Sequence, residues 1–175
     1  MPFDYSAFKY NMPAGFPGDV NRSHPASIEP GLNDVTNPVP FYGSAVIQTA
    51  TGTYRGMGTG DTSVTAVEVA VRPFPIQQGG TIPAFGAVSF GSSGTPPAGE
   101  IDVLRMGYVL VPVVGTPIRG GAVFVWVAAS TGVHVQGGFE AAATGGSTTA
   151  LAVGTFRWNS GPDASGIAEL VVNNF

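Results

Sequence analysis

The chain contains no cysteine. Disulfide staples and thiolate metal sites are therefore excluded, and cysteine usage leaves the compartment open. Charge is almost as scarce. Seven Lys and Arg with eleven Asp and Glu make up 10% of 175 residues, against about a quarter in an ordinary soluble domain. Lys9 is the single lysine, and Arg22, Arg55, Arg72, Arg105, Arg119 and Arg157 are scattered. The formal net charge is −4 and no basic cluster occurs. This excludes a nucleic-acid surface, which needs grouped Lys and Arg to replace phosphate counterions. Long apolar runs are missing too. The longest, residues 122–129, has eight residues, where a membrane-spanning helix needs about 20. The start, Met1-Pro2-Phe3-Asp4, lacks a basic region followed by an apolar core, so no secretory signal is expected.

What is present is glycine, proline and apolar bulk. There are 26 Gly and 15 Pro, yet 43% of the chain is hydrophobic and eleven residues are Phe. A disordered chain would share the first property but not the second. The sequence therefore describes a folded protein, poor in helix and short of the charge that keeps a free monomer soluble. Such a protein works by being buried in an assembly rather than by turning over a substrate. The length suits one domain with an appendage and is enough to bury a core.

Residues 1–45 differ from the rest. Pro2, Pro13, Pro17, Pro25, Pro30, Pro38 and Pro40 alternate there with Phe3, Tyr5, Phe8, Tyr10, Phe16, Phe41 and Tyr42. Proline at this density opposes helix and central-strand pairing. Interleaved aromatics mark an extended arm that lays rings into pockets, on its own domain or, as the favoured reading, on another subunit. Residues 46–175 form the single β-rich domain.

Period-two patterns follow the arm. Val67, Val69 and Val71 alternate with Glu68, Ala70 and Arg72, as in a half-buried strand. Residues 44–49 read as a second strand. Residues 73–99 carry no charge and five prolines, which predicts a long irregular excursion with one short strand near 84–90. Residues 101–104 and 108–114 read as two strands around a Met106-Gly107 turn, with Pro112 marking an edge or a bulge. Val123, Val125 and Val127 alternate with Phe124 and Trp126, apolar on both faces. Ser130-Thr131-Gly132 predicts a hairpin turn with a return strand at 133–136. Residues 151–158 and 167–172 close the chain around the turn Asp163-Ala164-Ser165-Gly166. The fold class is all-β: a β-sandwich, jelly-roll-like or small barrel of eight to ten short strands, with little helix.

Groups for catalysis are few. His24 and His134 have no second ligand at metal spacing, and each reads as a polar surface or interface residue. No serine is framed as Gly-x-Ser-x-Gly. Gly56-Met57-Gly58-Thr59-Gly60 lacks the lysine and the glycine spacing of a nucleotide loop and reads as a flexible surface turn. No Asp-x-Glu pair occurs to invite a glycosidase or calcium reading. No catalytic residue, metal or cofactor is expected, and the chain is not read as an enzyme. Arg72, before Pro73-Phe74-Pro75, and Arg105, beyond Asp102 across the expected hairpin, are each either half of a semi-buried pair across a subunit boundary or a solvated strand end.

Several segments together resemble a known family. They are Gly15-Phe16-Pro17-Gly18-Asp19-Val20, Val69-Ala70-Val71-Arg72-Pro73-Phe74-Pro75, Ile101-Asp102-Val103-Leu104-Arg105-Met106-Gly107-Tyr108, Gly120-Gly121-Ala122-Val123-Phe124-Val125, Gly137-Gly138-Phe139-Glu140-Ala141 and Gly161-Pro162-Asp163-Ala164-Ser165-Gly166-Ile167-Ala168-Glu169-Leu170. In this order they resemble the structural cement proteins that decorate and lock the capsids of tailed bacteriophages. The resemblance runs from about residue 13 onward, with residues 76–99 fitting it least. It implies a β-rich, oligomeric, non-catalytic protein on the outer capsid surface, assembled in the host bacterial cytoplasm and bound to the major capsid protein. No nucleic acid or membrane partner is expected. The arm aromatics Phe3, Tyr5, Phe8, Tyr10, Phe16, Phe41 and Tyr42 would dock on capsid or subunit. Phe124, Trp126, Arg72 and Arg105 would lie in an oligomer interface or the core. A trimer is the expected oligomer, with a dimer as the alternative, because closed cyclic symmetry buries an interface. The competing reading is a non-catalytic β-sandwich module on a virion that binds carbohydrate or a host surface, for which exposed Trp and Tyr would be needed.

Overall fold

A computed structural model describes residues 15–20, 25–61, 67–72 and 99–174. Among these residues the chain is all-β. Ten strands form one mixed sheet, and a single 3-10 turn covers Gly145–Ser147. The strands are β1 (Ser27–Leu32), β2 (Ala45–Gln48), β3 (Tyr54–Gly56), β4 (Glu68–Val71), β5 (Glu100–Val114), β6 (Phe124–Trp126), β7 (Phe139–Glu140), β8 (Thr148–Ala150), β9 (Phe156–Trp158) and β10 (Ile167–Asn173). All but residue 99 of the expected excursion at 73–99, the strand near 84–90 and His24 lie outside the described residues.

The spine is β5, fifteen residues long and so about 50 Å at ~3.3 Å per residue. It pairs antiparallel with β1, β4 and β10 and parallel with β7. The sequence suggested two strands around a turn at Met106-Gly107. The chain instead runs straight through. Ser27 faces Met106 and Ile28 faces Leu104, so Arg105 is an extra residue, a β-bulge. Gly107 follows at φ +139, and a Cβ there would sit 3.2 Å from the Ala26 Cβ, so a side chain would be strained and tightly packed.

The bulge switches the faces of the strand. Before it, Leu104 points into the main core, and Ile101 and Val103 point into a second, smaller one. After it, Val109 and Val111 point into the main core. An unbroken alternation would put Leu104 and Val109 on opposite faces. One strand thereby serves both cores. The main core also takes Val123, Val125, Phe139, Trp158 and Leu170, with the Phe139 and Trp158 rings edge to face at 6.4 Å.

The second core explains why β4 is buried on both faces rather than half-buried. Val69 and Val71 enter the main core, while Ala70 packs with Val39, Val46 and Tyr54. The loop over that side is fixed by short acceptors. Asn33 Oδ1 accepts the Val39 amide at 2.8 Å, and Asp34 Oδ1 accepts the Thr36 and Asn37 amides.

Three further expectations change. β1 falls inside the segment read as an arm. It accommodates Pro30 because Asn33 donates its amide to Gly99 O. That pairing makes the odd residues of β1 the bonded ones and turns the nitrogen of Pro30 away from β5. The expected return strand at 133–136 is instead a tight turn in which Thr131 and His134 exchange both backbone hydrogen bonds. Residues 151–158 are not one strand: Thr155 and Phe156 both donate to Ala152 O before β9 begins.

The glycine-rich segment 56–60 is no loose surface turn either. Met57 is buried in the main core. Asp61 is held by Arg55 through two bonds of 2.7 and 2.8 Å and accepts the Gly58 amide at 2.7 Å. The Arg55 hydrogen bond, against an opposing contribution from burial, keeps the Asp61 carboxyl below the ordinary carboxylate range. By contrast, the turn at Asp163 is as expected, with Oδ1 accepting the Ser165 and Ile167 amides.

Candidate functional site

The first described segment, residues 15–20, is laid along β5. Gly18 donates to Leu110 O at 2.7 Å, Leu110 donates to Asp19 O at 2.9 Å, and Val20 bridges Val109. Phe16 and Asp19 close a turn: the Asp19 amide donates to Phe16 O, and the Phe16 amide donates to Asp19 Oδ2 at 3.0 Å. Gly18 has φ +84, and a Cβ there would meet the Tyr42 Cβ at 2.7 Å. Only glycine allows this approach of two backbones.

Arg72, at the end of β4, locks the segment down. Its amide donates to Gly18 O at 3.0 Å and its Nε to Pro17 O at 2.9 Å. Its guanidinium carbon lies 5.4 Å from the Phe16 ring centre and 5.7 Å from that of Tyr42, within cation–π range of both. Asp19 Oδ1 stands 3.7 Å from the Nε. Burial raises the Tyr42 hydroxyl above its ordinary pKa, with Arg72 acting in the opposite direction. The structure thus gathers Phe16, Tyr42 and Arg72, which lie far apart in sequence. Phe16 remains 60% exposed. Phe41 is half-buried, and its carbonyl accepts the Ser44 amide and hydroxyl. Phe3, Tyr5, Phe8 and Tyr10 lie outside the described residues.

A second polar cluster crosses three strands. Arg105, aimed by the bulge, bonds Glu29 of β1 at 2.9 Å and stands 3.3 Å from Glu68 of β4. Glu68 is buried, and burial pushes its carboxyl above the ordinary range despite the Tyr54 hydrogen bond and Arg105. Tyr54 is pushed up to about 12, by burial first and then by Glu68. Arg72 and Arg105 therefore both find their carboxylates within the chain.

A third cluster fastens the β6–β7 connection. Trp126 is 5% exposed, donates Nε1 to Ala129 O at 3.1 Å, and stacks on His134 at 4.3 Å. His134 Nδ1 bonds the buried Glu140 carboxylate at 2.7 Å. Phe124 is half-buried opposite Glu140 and Ala150. Sequence reasoning missed Glu140 as the partner of His134, as it missed Asp19 and Glu68. The pairs are made by strand register, which spacing alone does not reveal. Among the described residues no group of three or more metal-binding side chains occurs, and no helix is long and apolar enough to cross a membrane. The arrangement joins strands and anchors a segment; it assembles no nucleophile with a base.

Comparison with known proteins bears on this arrangement. A family model described as XM1 gp53 minor capsid protein matches residues 5–172. No curated protein matches the sequence. Among solved structures, a chain from "The capsid of Myoviridae Phage XM1" superposes with a TM-score of 0.63 at 18% identity, over 95% of this chain and 92% of that one. At that identity the likeness is one of fold.

Proposed function

The chain belongs to the XM1 gp53 minor capsid protein family, and from that premise we propose that it decorates the outer surface of a tailed-phage capsid and ties neighbouring major capsid protein subunits together. The family is one of structural, non-catalytic capsid components. The observation that carries the finer reading is the anchor at Arg72. It fixes the chain at residues 16–18, directly after a stretch that holds Phe3, Tyr5, Phe8 and Tyr10. We divide the protein accordingly into an arm of residues 1–14 and a β-domain from residue 15 onward. Extended, an arm of fourteen residues would reach about 46 Å at ~3.3 Å per residue, enough to cross onto a neighbour. Each docked ring contributes about 1.5–3 kcal/mol before the ordering cost, so one arm holds weakly and several on one oligomer hold firmly. The oligomer we favour is a trimer.

A module for carbohydrate or host surfaces would display its large aromatics. Trp126 and Trp158 are 5% and 1% exposed, which disfavours it. The test is deletion of residues 2–14, read by circular dichroism and by co-sedimentation with capsid shells assembled without this protein. The expected result is an unchanged fold with binding lost. Unchanged co-sedimentation would rule out the docking arm.

A further inference from the structure

The edge strand β1 is built inside out. Its inward positions are Ser27, Glu29, Gly31 and the nearly fully buried Asn33, while Ala26, Ile28, Pro30 and Leu32 face solvent. Ile28 is 44% and Leu32 55% exposed. A half-buried strand ordinarily turns its apolar row to the core. Here pairing puts the row on the face of Leu104 but at its margin, where the described residues leave it exposed, while the opposite row holds Glu29 on Arg105 and Asn33 on the Val39 amide.

The surroundings of the row say what fits it. Directly paired residues share a face, so Leu32 lies beside Glu100 and Pro30 beside Asp102. Neither carboxylate has an ion-pair partner among the described residues. Strand addition is opposed by Pro30, which has no amide to give and whose nitrogen faces away from β5, and by the bridge from Asn33 to Tyr54, which already occupies one end of that edge. Contact must therefore be made through side chains on the face. A second copy using the same face would bring two more carboxylates against these two, in a chain with only seven basic residues.

We propose that the row Ile28, Pro30 and Leu32, rimmed by Glu100 and Asp102, is a docking face for an apolar segment of a neighbouring capsid protein flanked by Lys or Arg. This rests on the capsid reading above and adds to it a second, charge-selective contact, separate from the arm.

The test uses the full-length protein and capsid shells assembled without it. Ile28→Thr with Leu32→Thr is expected to weaken co-sedimentation at least tenfold, with the thermal midpoint and sedimentation coefficient of the free protein unchanged. Glu100→Gln with Asp102→Asn is expected to flatten the dependence of binding on NaCl, since the screened attraction is then gone. Wild-type binding matched by both variants overturns the docking face and leaves the capsid reading standing. A variant that unfolds earlier, or that changes the oligomer, overturns it too, because the row is then covered by the chain itself or by a second copy. Wild-type protein that does not bind shells overturns the capsid reading and this partner together.

Discussion

The guanidinium carbon of Arg72 stands 5.4 Å from the centre of the Phe16 ring. That contact, with the hydrogen bond from its Nε to Pro17 O, fixes residues 16–18 against the sheet. Arg72→Ala removes a charge-assisted hydrogen bond, about 1.5–3 kcal/mol, and a cation–π contact with the exposed Phe16 ring, about 0.5–1 kcal/mol. The Gly18 and Leu110 amides should then exchange hydrogen at least tenfold faster, while amides of β10 keep their protection. Equal exchange in the variant and the wild type would mean that backbone pairing with β5 alone holds the segment.

Gly18→Ala should cost more than a left-handed conformation does by itself. Gly52 has φ +86 and open space around it, whereas a Cβ at Gly18 would meet the Tyr42 Cβ at 2.7 Å. Gly52→Ala is expected to cost about 1 kcal/mol, and Gly18→Ala about 2–3 kcal/mol. Urea unfolding of the two variants measures the difference, and equal costs would contradict the close approach of the two backbones.

Trp126→Ala should destabilise the domain by about 3–5 kcal/mol through the void it leaves. Trp126→Phe keeps a ring against His134 and loses chiefly the bond to Ala129 O, about 1 kcal/mol. Thermal unfolding of both variants checks the order. A mild effect of the alanine would place Trp126 outside the packed interior.

The pH dependence has two opposite ends with one sign. Glu68 has a folded pKa raised above 4.5, mainly by burial. Its contribution is fully present below about pH 4.5 and is lost as pH rises through the raised value. Wild-type protein should therefore gain thermal stability relative to Glu68→Gln as the pH is lowered from 7 toward 4. Tyr54 is raised from 10.0 to about 12, so its contribution is present below pH 10 and lost as pH rises toward 12. Tyr54→Phe should remove that alkaline loss. Melting curves across pH 4–11 test both, and a wild-type minus Glu68→Gln difference that does not change with pH would count against the buried carboxylate.

Alternation made the all-β class legible, and with it β2, β4, β6 and β10. Elements whose meaning depends on a distant partner were not legible. Met106-Gly107 carries turn chemistry, and nothing local distinguishes a hairpin from a bulge in one long strand. Pairing with β1 and β10 decides it. β1 was hidden by Pro30, whose missing amide costs nothing where it faces away from the ladder. Arg72 was legible as a residue of interest. Its partners Phe16 and Pro17 lie more than fifty residues earlier and meet it only through the sheet. The same fact limits the arm we propose. Removing residues 2–20 would strip Gly18 and Val20 from β5, so the deletion that isolates the arm ends at residue 14.

Val109 sits between Val20 on one side and Leu170 on the other. Both neighbours run antiparallel to β5, so the N-terminal segment leaves past the Leu110 end and β10 leaves past the Met106 end. A pull between residue 15 and Asn173 is therefore applied lengthwise, in opposite directions, along segments that share one central neighbour. Rows of hydrogen bonds must slide and yield together rather than open one at a time.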